Sequence, residues 1–339
     1  ALPICQAVVR ACLQLREKGF EPQLIIAHAG WGEALFLRDI YPNAKIVGYF
    51  EFFYHAVGKD VGFDPEFPTD FDRRFLLRVR NSTQLMTWTG VDYGWSPTEW
   101  QRSLFPAELQ QRIKVIHEGV NTDVVKPDAN AAYLLPNGQR LTAGDEVITF
   151  VNRNLEPYRG FHVFMRALPD IQRQRPNAIT IIIGSESVSY GSRPANAENW
   201  KQALLAELGD QLDLSRIHFV GALAYAQYLQ VLQISRVHVY LTYPFVLSWS
   251  MLESMAAGCV LVASATPPVL EVIEHQRNGL LCDFFDRQAL AGQIVDVLAH
   301  PHHYQALRLA ARQTVLARYD LKTVCLPQQL AFVQQLLNE

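Results

Sequence analysis

The chain has 339 residues, 49% of them hydrophobic and 19% charged. That is globular composition and excludes a disordered chain, and at about 150 residues per domain the length predicts two domains. The formal charge of −3 argues against a large nucleic-acid footprint, and no apolar run approaches the roughly 18 residues of a membrane span. The five cysteines are scattered and form no Cys-x-x-Cys pair, which points to a reducing, cytoplasmic compartment and away from a disulfide frame or a zinc site.

From Val8, VVRACLQLREKGF predicts an amphipathic helix ending near Gly19. An α/β domain ordinarily opens on a buried strand, so the first domain is expected to be incomplete at its N-terminus; a domain that simply begins with a helix satisfies the same pattern. PQLIIAHAG reads as a strand, GEALFLRDIYP as a helix and AKIVGYFEFF as a strand. FDRRFLLRVRNSTQLM and TEWQRSLFP read as helices and RIKVIHEGV as a strand. The alternation pauses between Lys126 and Glu146, where Asn137-Gly138 is a strong hairpin signal. It resumes with strand EVITFVNRN, helix FHVFMRALPDIQRQRP, strand AITIIIG, helix NWKQALLAELGDQL, strand RIHFVGA, helix YAQYLQVLQIS, strand VHVYLTY, helix SMLESMAAG, strand VLVASA and helix LEVIEHQRNG. Two amphipathic stretches, YQALRLAARQTVLARY and PQQLAFVQQLLNE, close the chain. Strands alternating with helices predict right-handed parallel units, and the scarcity of polar residues inside the strands predicts sheets covered on both faces. The expected organisation is a first Rossmann-like domain at 1–127, a hairpin linker at 128–145, a second Rossmann-like domain at 146–318, and a C-terminal helix at 319–339 returning to the first domain.

In such sheets, ligands bind outside the carboxyl ends of the strands, which selects three groups of residues. Arg153 and Arg159, in FVNRNLEPYRGF, flank a strand end and a helix start, where two guanidiniums supply charged donors to a diphosphate; a solvated loop with two surface arginines fits as well. In YPFVLSWSMLESMAAGCVLVA, Ser248 or Ser250 opens a helix whose amides suit a phosphate. There Glu253 stands in apolar surroundings that a carboxylate tolerates only with hydrogen-bond partners, whether a ligand or a structural pair. In the first domain, His28, Trp31-Gly32-Glu33, Glu51 and His55 follow two strands, and an acid with an imidazole can bind an acceptor or move a proton. His300, His302 and His303 have no cysteine or carboxylate at ligand spacing, so no metal is expected. Arg73, Arg74, Arg78 and Arg80 form a basic helix face, either solvated or in contact with a phosphate-bearing acceptor or an anionic membrane surface.

These residues fall in longer blocks that resemble a known family. KVIHEGVNTDVVKPD, FVNRNLEPYRGFHVFMRAL and ESMAAGCVLVASATPPVLEVIEHQRNGLL resemble, in order and spacing, the conserved blocks of retaining bacterial family-4 glycosyltransferases. The resemblance implies the GT-B fold: α/β, two Rossmann-like domains facing a cleft, the first lacking its opening strand, helix and second strand here. It implies donor-diphosphate binding by Arg153 and by Arg159, which replaces the family's usual Lys and trades a point charge for a fork. It implies ribose binding by Glu253, phosphate and sugar contacts from Phe245, Val246, Leu247, Ser248 and Trp249, and base contacts at Val220 and Gly221. Phe245 occupies the place of the motif's first Glu; a ring stacks on a sugar but accepts no hydrogen bond. Glu51, with His55 nearby, stands in for the family's acceptor-side His.

The expected activity is therefore retaining transfer of a sugar from a nucleotide-diphosphate sugar to a carbohydrate or glycolipid hydroxyl. It would need no metal or resident cofactor and would take place in the cytoplasm, with peripheral contact at the inner membrane face. A nucleotide-sugar-binding subunit without turnover and a nucleotide-sugar 2-epimerase are the competing readings.

Overall fold

The computed structural model describes residues 2–339, the side chains of Leu2 and Arg73 excepted. The chain divides into two compact units, Ala1–Gly119 with Pro244–Val246 and Leu321–Glu339, and Val120–Tyr243 with Leu247–Asp320.

The first unit holds a parallel sheet in the order β1-β2-β3-β4: Leu24–His28, Lys45–Tyr49, Tyr93–Ser96 and Ile113–Val115. One face buries Ile46, Phe50, Val91, Phe105 and Ile113. The other packs Val47, Trp95 and Ile116 against Phe332 and Leu336, a one-turn pair on the helix Leu326–Asn338. The C-terminal helix thus belongs to the first unit's core.

The second unit opens with an antiparallel pair, β5 (Ala132–Leu134) and β6 (Arg140–Thr142), joined through Asn137-Gly138. Its main sheet consists of β7 (Val147–Asn154), β8 (Ile179–Ser185), β9 (Ile217–Gly221), β10 (Val237–Tyr240), β11 (Val260–Ser264) and β12 (Leu280–Cys282). All are parallel, in the order β12-β11-β10-β7-β8-β9. The order reverses between β7 and β10. In a doubly wound sheet, that reversal opens the ligand crevice outside the carboxyl ends of the two strands.

The structure departs from the sequence reading at several places, among them the helix expected over GEALFLRDIYP, which covers only Leu37–Ile40. The crossing between units falls at 119/120 and 320/321 rather than near 127 and 318, because Val120 N–H donates to Tyr319 O (2.7 Å) and Val120 and Val125 sit in the second unit's core. Tyr93–Ser96 and Leu280–Cys282 are strands the reading passed over. The expected helix at 270–279 stops at Leu270; beyond it Gln276 takes φ +62° and Asn278 caps the turn, accepting from Glu274 N and donating to Val272 O. That side chain offers the backbone an alternative to helical bonds. The helix Phe71–Gly90 forms where expected, but with its polar side inward: Asn81, Gln84 and Thr87 are buried while Phe71, Phe75 and Val79 are exposed.

Candidate functional site

Both loops at the reversal point are built around tight local structure. After β7, Pro157–Arg159 forms a single 3-10 turn closed by Gly160 at φ +69°. A Cβ on Gly160 would lie 2.2 Å from Leu241 Cβ, so only glycine lets this turn approach the end of β10. The turn is anchored by Glu156, whose buried carboxylate accepts N–H bonds from Ser189 (3.0 Å), Tyr190 (3.2 Å) and Gly191 (2.8 Å). Arg159 is 6% exposed, donates from Nη1 to Thr242 Oγ1 (2.9 Å), and holds its guanidinium 5.4 Å from the Tyr190 ring centre. Arg153, the penultimate residue of β7, is exposed and makes no hydrogen bond or ion pair among the described residues. One arginine is therefore fixed by the fold and the other is available to a ligand.

After β10, Thr242 N–H donates to Ser264 Oγ (3.1 Å), and Tyr243 N–H to Tyr158 O (3.0 Å), which ties this loop to the Arg159 turn. Ser248 N–H donates to Tyr240 Oη (2.8 Å) and sets the start of the helix Trp249–Ala257. Ser248 Oγ pairs with Ser250 Oγ (2.9 Å) and makes no side-chain cap bond to the helix. Open helix N-termini favour anions.

Glu253, on the second turn, is 7% exposed and satisfied by two phenols: Tyr225 OH donates to Oε1 and Tyr228 OH to Oε2, both at 2.7 Å. Burial, reinforced by this carboxylate, pushes both tyrosines above their ordinary range. Tyr225 and Tyr228 open the helix after β9, whose last residue, Gly221, takes φ +66° with nothing near its missing Cβ. Glu253 is thereby linked to the segment after Val220 and Gly221. The 245–249 loop is split: Leu247 packs on the second unit's core, Ser248 takes the N-cap position without a side-chain cap bond and Trp249 is exposed, whereas Pro244–Val246 cluster with the first unit. Phe245, expected to stack on a sugar, is 5% exposed with its ring 4.6 Å from Phe52. That ring is already filled by protein packing.

At the strand ends of the first unit, Gly30 N–H donates to His28 Nδ1 (3.1 Å), so in the neutral ring Nε2 carries the proton and donates to Glu51 Oε2 (3.3 Å). The pattern repeats after β4. Gly119 N–H donates to His117 Nδ1 (2.9 Å), His117 Nε2 stands 3.8 Å from Glu118 Oε2, and Glu118 accepts from Tyr49 OH. Burial holds His117 below the usual imidazole range. His55, expected beside Glu51, instead directs Nε2 at Leu104 O (2.8 Å); Glu51 takes His28 as its partner. His300 also has a carboxylate that the spacing argument overlooked, Asp296 one turn earlier (2.8 Å). The sequence reading missed Tyr49, His117, Glu118, Glu156, Tyr225, Tyr228 and Thr242. A legible signal existed for one group, the repeated His-x-Gly of His28-Ala29-Gly30 and His117-Glu118-Gly119 after two strands.

Comparison with known proteins places this geometry. Residues 136–314 match the family described as Glycosyl transferases group 1, and residues 1–125 the one described as Glycosyl transferase family 4 group. The chain is 22% identical over 258 residues to the GDP-mannose-dependent alpha-(1-6)-phosphatidylinositol monomannoside mannosyltransferase of Mycolicibacterium smegmatis, an alignment covering 74% of the chain and 62% of that protein. Among solved structures, sucrose-phosphate synthase from Thermosynechococcus elongatus superposes with a TM-score of 0.74 at 20% identity over 99% of this chain and 79% of that one. Anabaena HepE in complex with UDP-glucose gives a TM-score of 0.66 at 18% identity over 98% and 84%. The fold they share with this chain is two Rossmann-like units of the GT-B class.

Proposed function

The chain belongs to the Glycosyl transferases group 1 family, and from that premise we propose that it is a retaining glycosyltransferase that moves a sugar from a nucleotide-diphosphate donor to a hydroxyl of a carbohydrate or glycolipid. One observation carries the reading: Arg153 at the end of β7, Arg159 in the turn after it and the start of the helix Trp249–Ala257 after β10 all stand at the carboxyl ends of the two strands where the sheet order reverses. As the glycosidic bond to the donor phosphate breaks, negative charge gathers on the leaving diphosphate, and the preorganised Arg159 guanidinium, the exposed Arg153 and the loop amides stabilise it. Those side chains supply the cationic charge, so this reading assigns no step to a metal or resident cofactor. Glu253, held between two phenols, takes the ribose hydroxyls, with Tyr225 yielding its place or bridging. In the first unit, Glu51 with His28 receives the acceptor, and same-face attack on the sugar is guided by the leaving phosphate.

The name of the mannosyltransferase relative and the UDP-glucose complex of HepE support a nucleotide sugar as co-substrate and a glycolipid among the candidate acceptors. A panel of uridine- and guanosine-diphosphate sugars, read first by thermal shift and then by transfer, tests this. Stabilisation with no transfer to any acceptor would favour the binding-subunit reading, and release of an altered free sugar would favour the epimerase.

Two substitutions separate the roles. Glu253→Gln keeps shape but removes the charged acceptor, and is expected to weaken ribonucleotide binding about tenfold while affecting a 2′-deoxy donor much less; equal losses would make Glu253 purely structural. Glu51→Gln is expected to lower transfer by roughly a hundredfold or more, the range for a displaced acid–base group, at unchanged donor affinity. A parallel loss of donor affinity would remove Glu51 from the acceptor side.

A further inference from the structure

We propose that the acceptor side of this protein selects a neutral sugar, one with no phosphate or carboxylate beside the accepting hydroxyl, and that Trp31, Glu51 and Glu118 make the selection. This selection presupposes the reading in which the first unit receives the acceptor, and it names the class of acceptor received. Four rings line the carboxyl ends of β1, β2 and β3. The ring centre of Trp31 lies 4.6 Å from that of His28, His28 lies 5.8 Å from Tyr49, and Tyr49 lies 6.1 Å from Trp95. The inner end of this row is fixed: Trp95 is buried, donates its indole N–H to Ile116 O (2.7 Å) and packs against Phe332. The outer end is open. Trp31 is 59% exposed, and its indole N–H has no hydrogen-bond partner among the described residues. Such a ring offers a flat apolar face with one donor at its rim, which matches the C–H face and the hydroxyl rim of a sugar ring.

Two carboxylates flank the row, and each keeps one oxygen free. Glu51 Oε2 accepts from His28 Nε2 (3.3 Å), which leaves Oε1 open. Glu118 Oε1 accepts from Tyr49 OH, and its Oε2 lies 3.8 Å from His117 Nε2, too far for a hydrogen bond. Their side chains are 40% and 34% exposed, and neither has a lysine or arginine partner among the described residues. A carboxylate only accepts, so each open oxygen calls for a hydroxyl that donates. A phosphate there brings acceptor oxygens and a further negative charge. It leaves both carboxylates unpaired and is repelled by them, and a site built to pair hydroxyls discriminates strongly against a group that cannot donate. The wider field has the same sign. Residues 29–36, 50–70, 97–106 and 116–119, which follow the four strands, carry eight carboxylates against Lys59 and Arg102. The arginines at the start of the helix Phe71–Gly90 give the contrary expectation, a phosphate-bearing acceptor, and the experiment separates the two.

The test is ligand-observed saturation-transfer NMR on the purified full chain, which needs neither a donor sugar nor turnover. The probes are methyl glucoside, methyl mannoside and inositol, each beside its monophosphate. Uridine and guanosine diphosphates are present throughout to occupy the phosphate-binding loops of the second unit, and only binding that Trp31→Ala removes is assigned to this site. At least one neutral probe is expected to bind, with its monophosphate about tenfold weaker or more, and the gap should narrow in high salt. Trp31→Ala is expected to weaken the neutral probe about tenfold, and Trp31→Phe to keep most of the affinity, because a ring remains for stacking. Glu51→Gln with Glu118→Gln keeps shape but removes both charges, and should shrink the gap between sugar and monophosphate to about twofold. Thermal unfolding checks that each variant is folded. No neutral probe bound through Trp31, a monophosphate bound as tightly as its parent sugar, or a gap unchanged by the two glutamines would each overturn the proposal. The expected binding pattern in a chain that no nucleotide sugar stabilises would support this site and count against the donor half of the transferase reading.

Discussion

Alanine at position 160 is expected to cost the second unit about 3 kcal/mol, the sum of overpacking and a left-handed backbone on a residue with a Cβ, and to abolish nucleotide binding at ordinary ligand concentrations. Gly160 sits at φ +69°, and its missing Cβ would fall 2.2 Å from Leu241 Cβ and 2.8 Å from Cδ1. Leu241 is 1% exposed and cannot swing clear, so the 3-10 turn must move, and Arg159 moves with it. The control is Gly138→Ala in the β5–β6 hairpin, where φ is +88° but nothing lies within 4 Å of the new Cβ. That variant should pay only the backbone strain of about 1 kcal/mol. Thermal unfolding followed by circular dichroism should separate the two melting temperatures by several degrees, at about 2–4 °C per kcal/mol for a unit of this size. Equal shifts would mean that the close approach to β10 is not what selects glycine here.

The contrast between these glycines shows what the sequence conveys and what it withholds. Strands such as VITFV, ITIII and VLVAS are legible because a sheet covered on both faces needs continuous apolar runs, and the first of them, with VHVY, flanks the reversal point that locates the candidate site. Tyr93–Ser96 is not legible. It is short, and its Gly94 is required by packing, since a Cβ there would stand 2.6 Å from Ile113 Cγ1. The helix at 71 was legible in extent but not in facing. Asn81, Gln84 and Thr87 turn inward because loop carbonyls and amides wait there, a fact of tertiary structure that periodicity does not encode. At the site, Arg153, Arg159 and Glu253 stood out as charges in apolar or glycine-marked text. Their partners did not, because Thr242, Tyr190, Tyr225 and Tyr228 come from other loops and look like ordinary residues until the fold brings them within hydrogen-bond or ring-contact distance.

The two arginines should give opposite combinations of effects when removed. Arg153→Ala deletes an exposed cation with no partner among the described residues, so unfolding should be unchanged while nucleoside-diphosphate affinity falls ten- to a hundredfold, the worth of one charged hydrogen bond at roughly 1.5–3 kcal/mol. Arg159→Ala should lose at least as much affinity and also lower the melting temperature, because it strips Thr242 Oγ1 of its donor and empties a buried space beside Tyr190. Arg159→Lys separates charge from shape. A lysine keeps the positive charge for the diphosphate but not the planar fork that reaches Thr242, so part of the affinity should return with little of the stability. Titration calorimetry with uridine and guanosine diphosphates, beside the bare nucleosides, is the measurement. Nucleoside affinity should stay within about twofold of wild type in every folded variant, since neither guanidinium is assigned to the base or ribose and small perturbations of this order carry only a few tenths of a kcal/mol. Equal weakening of nucleoside and diphosphate would show that the pair holds the loops in shape and does not meet the phosphates.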